Sequence, residues 1–228
     1  MSSLKIEVKD LVKEYMSGDE PLLALDHVNF SISSGEFISI TGRSGSGKST
    51  LLNIIAGLTL PTSGNVYLDG QDIFALSDAE LSLYRNATIG CLPQVSSVLS
   101  ALSVLDNVRL PYHLAKREGD SEAEALRLLE MVGLEKLAKR MPKRLSGGQV
   151  KRVAIARALM NKPCFLLIDE PTGDLDTQTT EEIMAIFRKV ADEGTAVLMI
   201  THDLETTEYA DKRFEMSSGV LSPKAAEH

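Results

Sequence analysis

The spacing of apolar residues predicts two kinds of strand. Apolar and polar residues alternate over residues 28–32, which is typical of a half-buried antiparallel strand. Two later stretches, residues 165–168 and 196–200, are continuously apolar and only as long as strands. Such stretches are typical of strands buried on both faces of a parallel sheet. We therefore predict antiparallel strands in the N-terminal part and a parallel sheet further along the chain.

Two longer segments, residues 125–132 and 183–190, have apolar side chains at positions i, i+3, i+4 and i+7. This spacing is that of an amphipathic helix. The second segment lies between the two buried strands, and a strand–helix–strand order favours a parallel sheet covered by helices. We predict a single α/β domain over residues 1–228, in which a core (1–84 and 162–228) is interrupted by a helical insertion at about 85–161.

One loop of the predicted core has the pattern of a phosphate-binding loop. Residues 42–49 match GxxxxGK[ST] and lie between a strand-like and a helix-like stretch, the context that the motif requires. Glycines let backbone N–H groups face phosphate oxygens, and the helix N-terminus adds partial positive charge. We expect the lysine to reach the β- and γ-phosphates of ATP and the serine after it to ligate Mg²⁺. The candidate ATP-binding residues here are Gly42, Arg43, Ser44, Gly45, Ser46, Gly47, Lys48, Ser49 and Thr50.

Two carboxylates end the predicted strand at residues 165–168. Asp169 and Glu170 follow four apolar residues, and ligands of parallel sheets bind beyond the carboxyl ends of the strands. We expect Asp169 to hold Mg²⁺ through a water molecule, and Glu170 to orient the water that attacks the γ-phosphate. Solvated acids at a strand end are common on their own, but next to a phosphate loop they indicate ATP hydrolysis.

A second glycine motif precedes a predicted helix at residues 150–160. Ser146, Gly147, Gly148 and Gln149 would leave N–H groups exposed at the helix N-terminus, which is another anion-binding arrangement. As an isolated string these residues could be a simple helix cap. Because one triphosphate does not need two such arrangements from one chain, we expect this motif to face the nucleotide held by another subunit.

In this order the motifs resemble those of the ATPase subunit of ATP-binding-cassette transporters, and the resemblance covers nearly the whole chain. It implies a P-loop NTPase (RecA-like) core with an N-terminal antiparallel β portion and an inserted α-helical subdomain. It further implies that Tyr15 stacks on adenine, that Gln94 contacts Mg²⁺ and the attacking water, and that His202 contacts the γ-phosphate. Asp174 and Asp176 lie in a stretch similar to the family's loop that crosses the dimer interface.

Within the family, the chain is most similar to the MacB/LolD/FtsE branch. This similarity lies in residues 75–85, 105–108 and 170–176. The resemblance implies a homodimer that powers an integral-membrane permease, for export or extraction of lipoprotein, peptide, antibiotic or haem-like substrates. The alternative is an FtsE-like regulatory ATPase that signals across the membrane without moving a substrate.

The chain departs from the family pattern at several places. Residues 95–98 lack the aromatic usual after the glutamine, in a stretch that helps to form the groove for the membrane subunit. Leu99, Leu102, Val104 and Val108 either line this groove or belong to the helix core. Val150 and Lys151 replace polar glutamines after the second glycine motif, on a helix that we expect to lie away from phosphate, so we expect little chemical effect.

Charge and composition indicate which classes of partner and which cellular compartment to expect. The net charge of −8 lacks the basic footprint of a nucleic-acid partner and disfavours docking on anionic lipid. No apolar run reaches bilayer-spanning length, residues 1–7 have no signal-peptide pattern, and Cys91 and Cys164 favour buried reduced thiols. We expect no nucleic-acid partner, no direct membrane insertion, and a peripheral position at the cytoplasmic side of the cell membrane, reached through the permease.

Overall fold

The computed structural model describes residues 4–18, 20–95, 98–173 and 175–224. Within these residues the strands and helices fall into a strand-rich N-terminal part, a helix-rich middle part and a C-terminal part with four strands and one helix. They are β1 (Lys5–Ser17), β2 (Glu20–Ser33), β3 (Phe37–Thr41), α1 (Lys48–Ile55), β4 (Ser63–Leu68), β5 (Gln71–Asp72), α2 (Asp78–Thr88), β6 (Ile89–Leu92), α3 (Val104–Leu114), α4 (Ser121–Met131), α5 (Gly147–Leu159), β7 (Phe165–Asp169), α6 (Thr177–Asp192), β8 (Ala196–Thr201), β9 (Lys212–Ser217) and β10 (Val220–Pro223).

The strands form two sheets. The first is antiparallel, with the order β2–β1–β4–β5, and contains the predicted alternating strand. The second has the order β10–β9–β3–β8–β7–β6, and its strands from β9 to β6 run parallel. Strand β6 lies within the range 85–161 that we predicted for the helical insertion, but it pairs with β7 as a strand of the core sheet.

The six-stranded sheet is covered on both faces. In β7, Phe165 and Leu167 pack with α1 and the antiparallel sheet, whereas Leu166 and Ile168 pack with helices α3 to α6. Successive side chains of a strand point to opposite faces, so a continuously apolar strand can contribute to two cores at once. The predicted α/β fold, with an antiparallel part and added helices, is confirmed.

Helices α4 and α6 begin at side-chain caps that the sequence supplies. Helix α4 begins after Asp120, whose carboxylate accepts the N–H groups of Glu122 and Ala123 at 3.0 Å, and Gly133 follows its end with φ +71°. Both predicted amphipathic faces, on α4 and α6, are buried. Helix α4 is therefore held by packing against α3 and α5, and α6 by packing against β8, as well as by their caps.

Two smaller expectations are settled by burial. Val104 and Val108 are fully buried core residues of α3, while Leu99 is exposed. Both cysteines are free, but Cys91 is exposed and Cys164 is half-buried, so the prediction of buried thiols is wrong. For Cys91 the reason is its place in β6, the edge strand of the sheet, one flank of which has no neighbouring strand among the described residues.

Packing of α6 on the sheet generates a stability prediction. Phe187 is 0% exposed, and truncating a buried phenylalanine removes apolar burial and leaves a cavity. We expect Phe187→Ala to lower the free energy of unfolding by about 3–5 kcal/mol, measured by urea denaturation. Leu114→Ala is the control, because Leu114 is 70% exposed and should change the same quantity by less than about 0.5 kcal/mol. Similar losses in both variants would contradict the assigned core.

Candidate active site

The carboxyl ends of β3, β7 and β8 open onto one cavity of about 640 Å³. Thr41 and Thr201 are level in the parallel register, as are Asp169 and Ile200, so the loops after these strands start side by side. Ligands of parallel sheets bind at this edge. The cavity is lined by Tyr15, Leu22, Ala24, Arg43, Ser44, Gly45, Gly47, Lys48, Ser49, Thr50, Gln94, Asp169, Glu170 and His202.

The loop of residues 42–49 has a backbone shape that requires glycine at two positions. A Cβ atom on Gly42 would lie 2.3 Å from the carbonyl oxygen of Met216, and one on Gly47 would lie 2.2 Å from that of Ala24. Gly47 is also the N-cap of α1, with φ +108°, and no side chain caps this helix or places an acid in its first turn. An uncapped N-terminus with no acidic side chain suits an anionic ligand.

The side chains of this loop also fit phosphate. Lys48 is buried, and its ammonium donates to the carbonyl oxygens of Gly42 at 2.7 Å and Arg43 at 3.0 Å, so the loop curves around it. The buried hydroxyl oxygen of Ser46 has no hydrogen-bond partner within the described part of the chain. The ammonium of Lys48 lines the cavity and is a group that phosphate oxygens can satisfy, whereas Gly42 and Ser46 are not among the residues that line it.

Ser49 and Asp169 face each other across the cavity floor. Burial raises the pKa of the Asp169 carboxyl, the Glu170 charge adds to this, and the Ser49 hydrogen bond together with Lys48 and Lys151 opposes it. The described residues contain no group of three or more His, Cys, Asp or Glu side chains able to hold a metal by themselves. Mg²⁺ is usually bound through one or two carboxylates and the phosphates of the substrate, so the Ser49–Asp169 pair fits an ion that arrives with ATP.

Glu170 and His202 form a contact pair at the cavity edge. His202 Nδ1 lies 2.8 Å from Glu170 Oε2, and the His202 backbone N–H donates to the same oxygen at 3.3 Å. The carboxylate is 13% exposed and the imidazole 71% exposed. Glu170 has φ +48°, a left-handed conformation that costs energy for any residue other than glycine. The structure therefore brings together the predicted water-orienting acid and the predicted phosphate-contacting histidine.

An apolar wall forms the other end of the cavity. Tyr15, half exposed in β1, is paired in register with Leu22 of β2. The ammonium of Lys13 lies 4.9 Å from the Tyr15 ring centroid. Leu22 and Ala24 also line the cavity and were missed by the sequence analysis. Residues 21–25 are continuously apolar, so no alternation marked Leu22 and Ala24. Only the pairing of β1 with β2 places Leu22 opposite Tyr15.

The second glycine motif lies outside this cavity. Ser146 is the N-cap of α5, and it exchanges hydrogen bonds with Gln149 in a capping box, at 3.1 and 3.3 Å. A Cβ atom on Gly147 would meet no atom within 4 Å. The helix start is thus formed and exposed, and neither it nor Gly148 contributes to the cavity lining in the same chain.

The stretch predicted to cross a dimer interface is described only in part. Asp174 lies outside the described residues. Asp176 caps α6, where its carboxylate accepts the N–H of Thr179 at 2.9 Å and the hydroxyl of Thr179 at 2.7 Å. These hydrogen bonds hold the pKa of the Asp176 carboxyl below its usual value. Within one chain, Asp176 thus has a clear structural role as a helix cap.

Comparison with known proteins decides the family. Residues 25–173 match the family model described as ABC transporter. Over 218 residues the chain is 44% identical to the ABC transporter ATP-binding protein YvrO of Bacillus subtilis, with 95% of each chain covered. The chain belongs to the ABC transporter family. It is one of the family's ATP-binding cassettes, an ATPase.

The chain is also similar to a longer protein and to a cassette of known structure. The chain is 42% identical over 216 residues to the macrolide export ATP-binding/permease protein MacB of Chlorobaculum tepidum, covering 95% of the cassette but 33% of MacB. The chain thus spans about one third of the length of that relative. It superposes with a TM-score of 0.90, at 40% identity and covering 98% and 99% of the two chains, on the ATP-binding cassette MJ0796 in a dimeric post-hydrolysis state bound to ADP and Pi.

No helix within the described ranges of the cassette combines the length and the apolar character needed to span a bilayer.

The raised pKa of Asp169 generates a prediction about stability and pH. The folded carboxyl holds its proton more tightly than an unfolded one, so the folded cassette loses stability as pH rises through the window between the two pKa values. The loss grows until pH exceeds the raised pKa of the folded carboxyl. We therefore expect Asp169→Asn, without nucleotide, to have a melting temperature equal to or above that of the native chain at pH 7, with the difference shrinking below about pH 4. A clearly lower melting temperature at pH 7 would show that the ionised carboxylate stabilises the fold.

Proposed function

We propose that this cassette hydrolyses ATP to power a membrane permease in export or extraction. The observation that carries the proposal is the arrangement of Lys48, Asp169 and the Glu170–His202 pair around one cavity. This arrangement supplies a phosphate-binding ammonium, a metal-ligand position and a positioned base at one sheet edge. MacB joins an ATP-binding part and a permease part in its name, and the cassette matches one third of it, which supports a permease as partner.

The proposed pose of ATP follows the cavity from its apolar to its polar end. Adenine stacks on Tyr15 beside Leu22, and the phosphates lie in the loop of residues 42–49, with Arg43, Ser44, Gly45, Ser46 and Thr50 around them. Lys48 then transfers its hydrogen bonds from the carbonyls of Gly42 and Arg43 to the β- and γ-phosphates. Such charge-assisted bonds are stronger than bonds to neutral carbonyls.

Ser49, Gln94 and Asp169 are the residues that we propose hold Mg²⁺. When bound, Mg²⁺ supplies positive charge that polarises the phosphate oxygens. The raised pKa of Asp169 supports this role, since a partly desolvated carboxylate has most to gain from a cation.

Hydrolysis is assigned to the groups beside the γ-phosphate. Glu170 accepts a proton from the attacking water, whose oxygen forms the new bond to phosphorus while the bond to ADP breaks. Gln94 orients this water. His202 breaks the hydrogen bond that it makes to Glu170 in this structure and donates to a γ-phosphate oxygen instead. Positioning and charge stabilisation provide most of the rate enhancement in phosphoryl transfer.

The complete site is proposed to need a second copy of the chain. The capping box uses the N–H groups of Ser146 and Gln149 but not those of Gly147 and Gly148. Since none of Ser146, Gly147, Gly148 and Gln149 lines the chain's own cavity, we propose that the two glycine N–H groups and the Ser146 side chain, with Gln149 beside them, contact the ATP of a partner. The dimeric state of the solved cassette MJ0796 supports a head-to-tail homodimer. Asp174 and Asp176 are proposed to lie at its interface.

The remaining proposals concern organisation and place. Residues 1–228 form one ABC ATPase domain with a core at 1–84 and 162–228 and a helical insertion at about 85–161, in which β6 belongs to the core sheet. The cassette works at the cytoplasmic side of the cell membrane, held there by the permease, and has no nucleic-acid partner. The MacB relative, named for export, favours substrate movement over purely regulatory signalling.

The role of Glu170 is tested by Glu170→Gln, which keeps the size of the side chain and removes the proton acceptor. We expect the ATPase rate to fall by about a hundredfold or more, while Mg²⁺–ATP still binds through Lys48 and Ser49. The dimer should then accumulate with ATP but not with ADP in size-exclusion chromatography. Near-normal turnover would move the catalytic role elsewhere. A dimer population that ignores the γ-phosphate would refute the closed-state model.

The shared site is tested by Gly147→Asp, with Gly147→Asn as the uncharged control of nearly equal size. The position has open space, so both variants should fold. The aspartate places negative charge where the partner's triphosphate approaches, and we expect ATPase activity to fall at least tenfold further than in the Asn variant. ATP binding by the monomer should be unchanged in both. Loss of monomer binding in Gly147→Asp would show that α5 acts on its own chain's nucleotide.

A further inference from the structure

Lys151, which we expected to have little chemical effect, is buried beside two loops of the candidate site. Lys151 is only 6% exposed. Its ammonium donates to two backbone carbonyl oxygens, that of Gln94 and that of Glu170, each at 3.4 Å. A single buried charge therefore contacts the main chain of both loops that carry the proposed water-positioning groups.

The two carbonyls belong to neighbouring strand ends. Gln94 follows β6 and Glu170 follows β7, and these strands run parallel, with Leu92 and Ile168 level in the register. Among the described residues, no backbone hydrogen bond joins the Gln94 loop to the Glu170 loop beyond this register. The ammonium of Lys151 spans this gap from the side of α5.

Burying an ammonium is costly unless it is paired or hydrogen-bonded. On α5, Lys151 shares its face with Ala154 and Ile155, at i+3 and i+4, which are fully buried. A lysine among core residues of a helix thus makes its hydrogen bonds at the site and not in solvent. Its charge also opposes the raised pKa of Asp169.

Three contacts hold Glu170, two through its backbone and one through its side chain. Its N–H donates to the carbonyl of Ile200 at 3.0 Å, its carbonyl accepts from Lys151, and its side chain contacts His202. Its left-handed φ of +48° persists only where the surroundings fix it. Lys151 is one of the groups that fix it, and it does so from a helix that also carries the second glycine motif.

We propose that Lys151 is a positioning residue that links the N-terminus of α5 to the Gln94 and Glu170 loops of its own chain. This inference rests on the proposed function, in which Ser146 and Gly147 contact the ATP of the partner. Lys151 lies about one turn further along the same rigid helix. A shift of α5 on binding the partner's ATP therefore moves the donor that sets the position of Glu170, which couples the two ATP sites of the dimer.

The test uses Lys151→Met, which keeps length and apolar character and removes the donor, and Lys151→Gln, which keeps an N–H donor. Lys189→Met is the matched control, because Lys189 is exposed on α6 and pairs only with the exposed Glu193 among the ion pairs of the described residues. For each variant of the full chain, steady-state kcat and KM for ATP, ATP affinity of the monomer, and the melting temperature are measured.

We expect Lys151→Met to lower kcat at least tenfold while KM and monomer affinity stay within twofold, because the loop of residues 42–49 is untouched. Lys151→Gln should retain more of kcat than Lys151→Met, and Lys189→Met should match the native chain. A kcat within twofold of native in folded Lys151→Met would overturn the inference. A parallel loss of ATP affinity would also overturn it, because it would show a general structural effect.

Two further outcomes are distinguishable. If Lys151→Met does not fold, the decision passes to Lys151→Gln, where a kcat within twofold of native overturns the inference and a selective fall in kcat supports it. If the native chain itself neither hydrolyses ATP nor dimerises with it, the proposed function fails, and this inference fails with it. If the native chain is active and the Lys151 variants have its kcat, the proposed function stands and only the role of Lys151 in coupling is refuted.

Discussion

The parallel pairing of β3, β8 and β7 is the constraint on which the rest of the molecule depends. These strands are buried on both faces, so a shift of one residue would turn every apolar side chain of a strand from one core to the other. The register is therefore strongly determined. It places the loop of residues 42–49, the Asp169–Glu170 pair and His202 at one edge, within reach of a single ligand.

The edge of this sheet concentrates energetically unfavourable features. Burial raises the pKa of Asp169, two lysines are buried, Glu170 has a left-handed backbone, and the hydroxyl of Ser46 has no partner in the described structure. Each feature costs stability in the isolated chain. In the proposed function, the charges of Lys48 and Asp169 are already in place and gain partners when Mg²⁺ and a triphosphate bind, which is the arrangement that electrostatic catalysis requires.

The sequence predicted the fold class and most of the proposed site, because those residues sit at strand ends and in loops whose spacing has a local physical meaning. Asp169 and Glu170 follow a continuously apolar strand, and the loop from Gly42 to Ser49 lies between a strand and a helix. The lining residues Leu22 and Ala24 were not predicted, since their position depends on the pairing of two long strands. The burial of Lys151 was not predicted, because it depends on how α5 packs against two distant loops.

The dependence on long-range pairing also explains why β6 lies within the range that we predicted for the helical insertion. Its four residues, Ile89–Leu92, lie between helices in the sequence, and only pairing with β7 identifies them as part of the core sheet. Asp176 shows the converse case. Its likeness to an interface residue came from the family pattern, whereas its contacts within one chain are those of a helix cap, and the two roles are compatible because a cap uses only part of a carboxylate's capacity.

The central claim is that ATP lies between the phosphate loop of one copy and the α5 N-terminus of another. A crystal structure of the full chain with Mg²⁺ and a non-hydrolysable ATP analogue tests it most directly. The account predicts a head-to-tail dimer in which Lys48 of one copy and Gly147 of the other contact the same triphosphate, with adenine on Tyr15. A nucleotide enclosed by one chain alone, or phosphates bound away from Lys48, would contradict it.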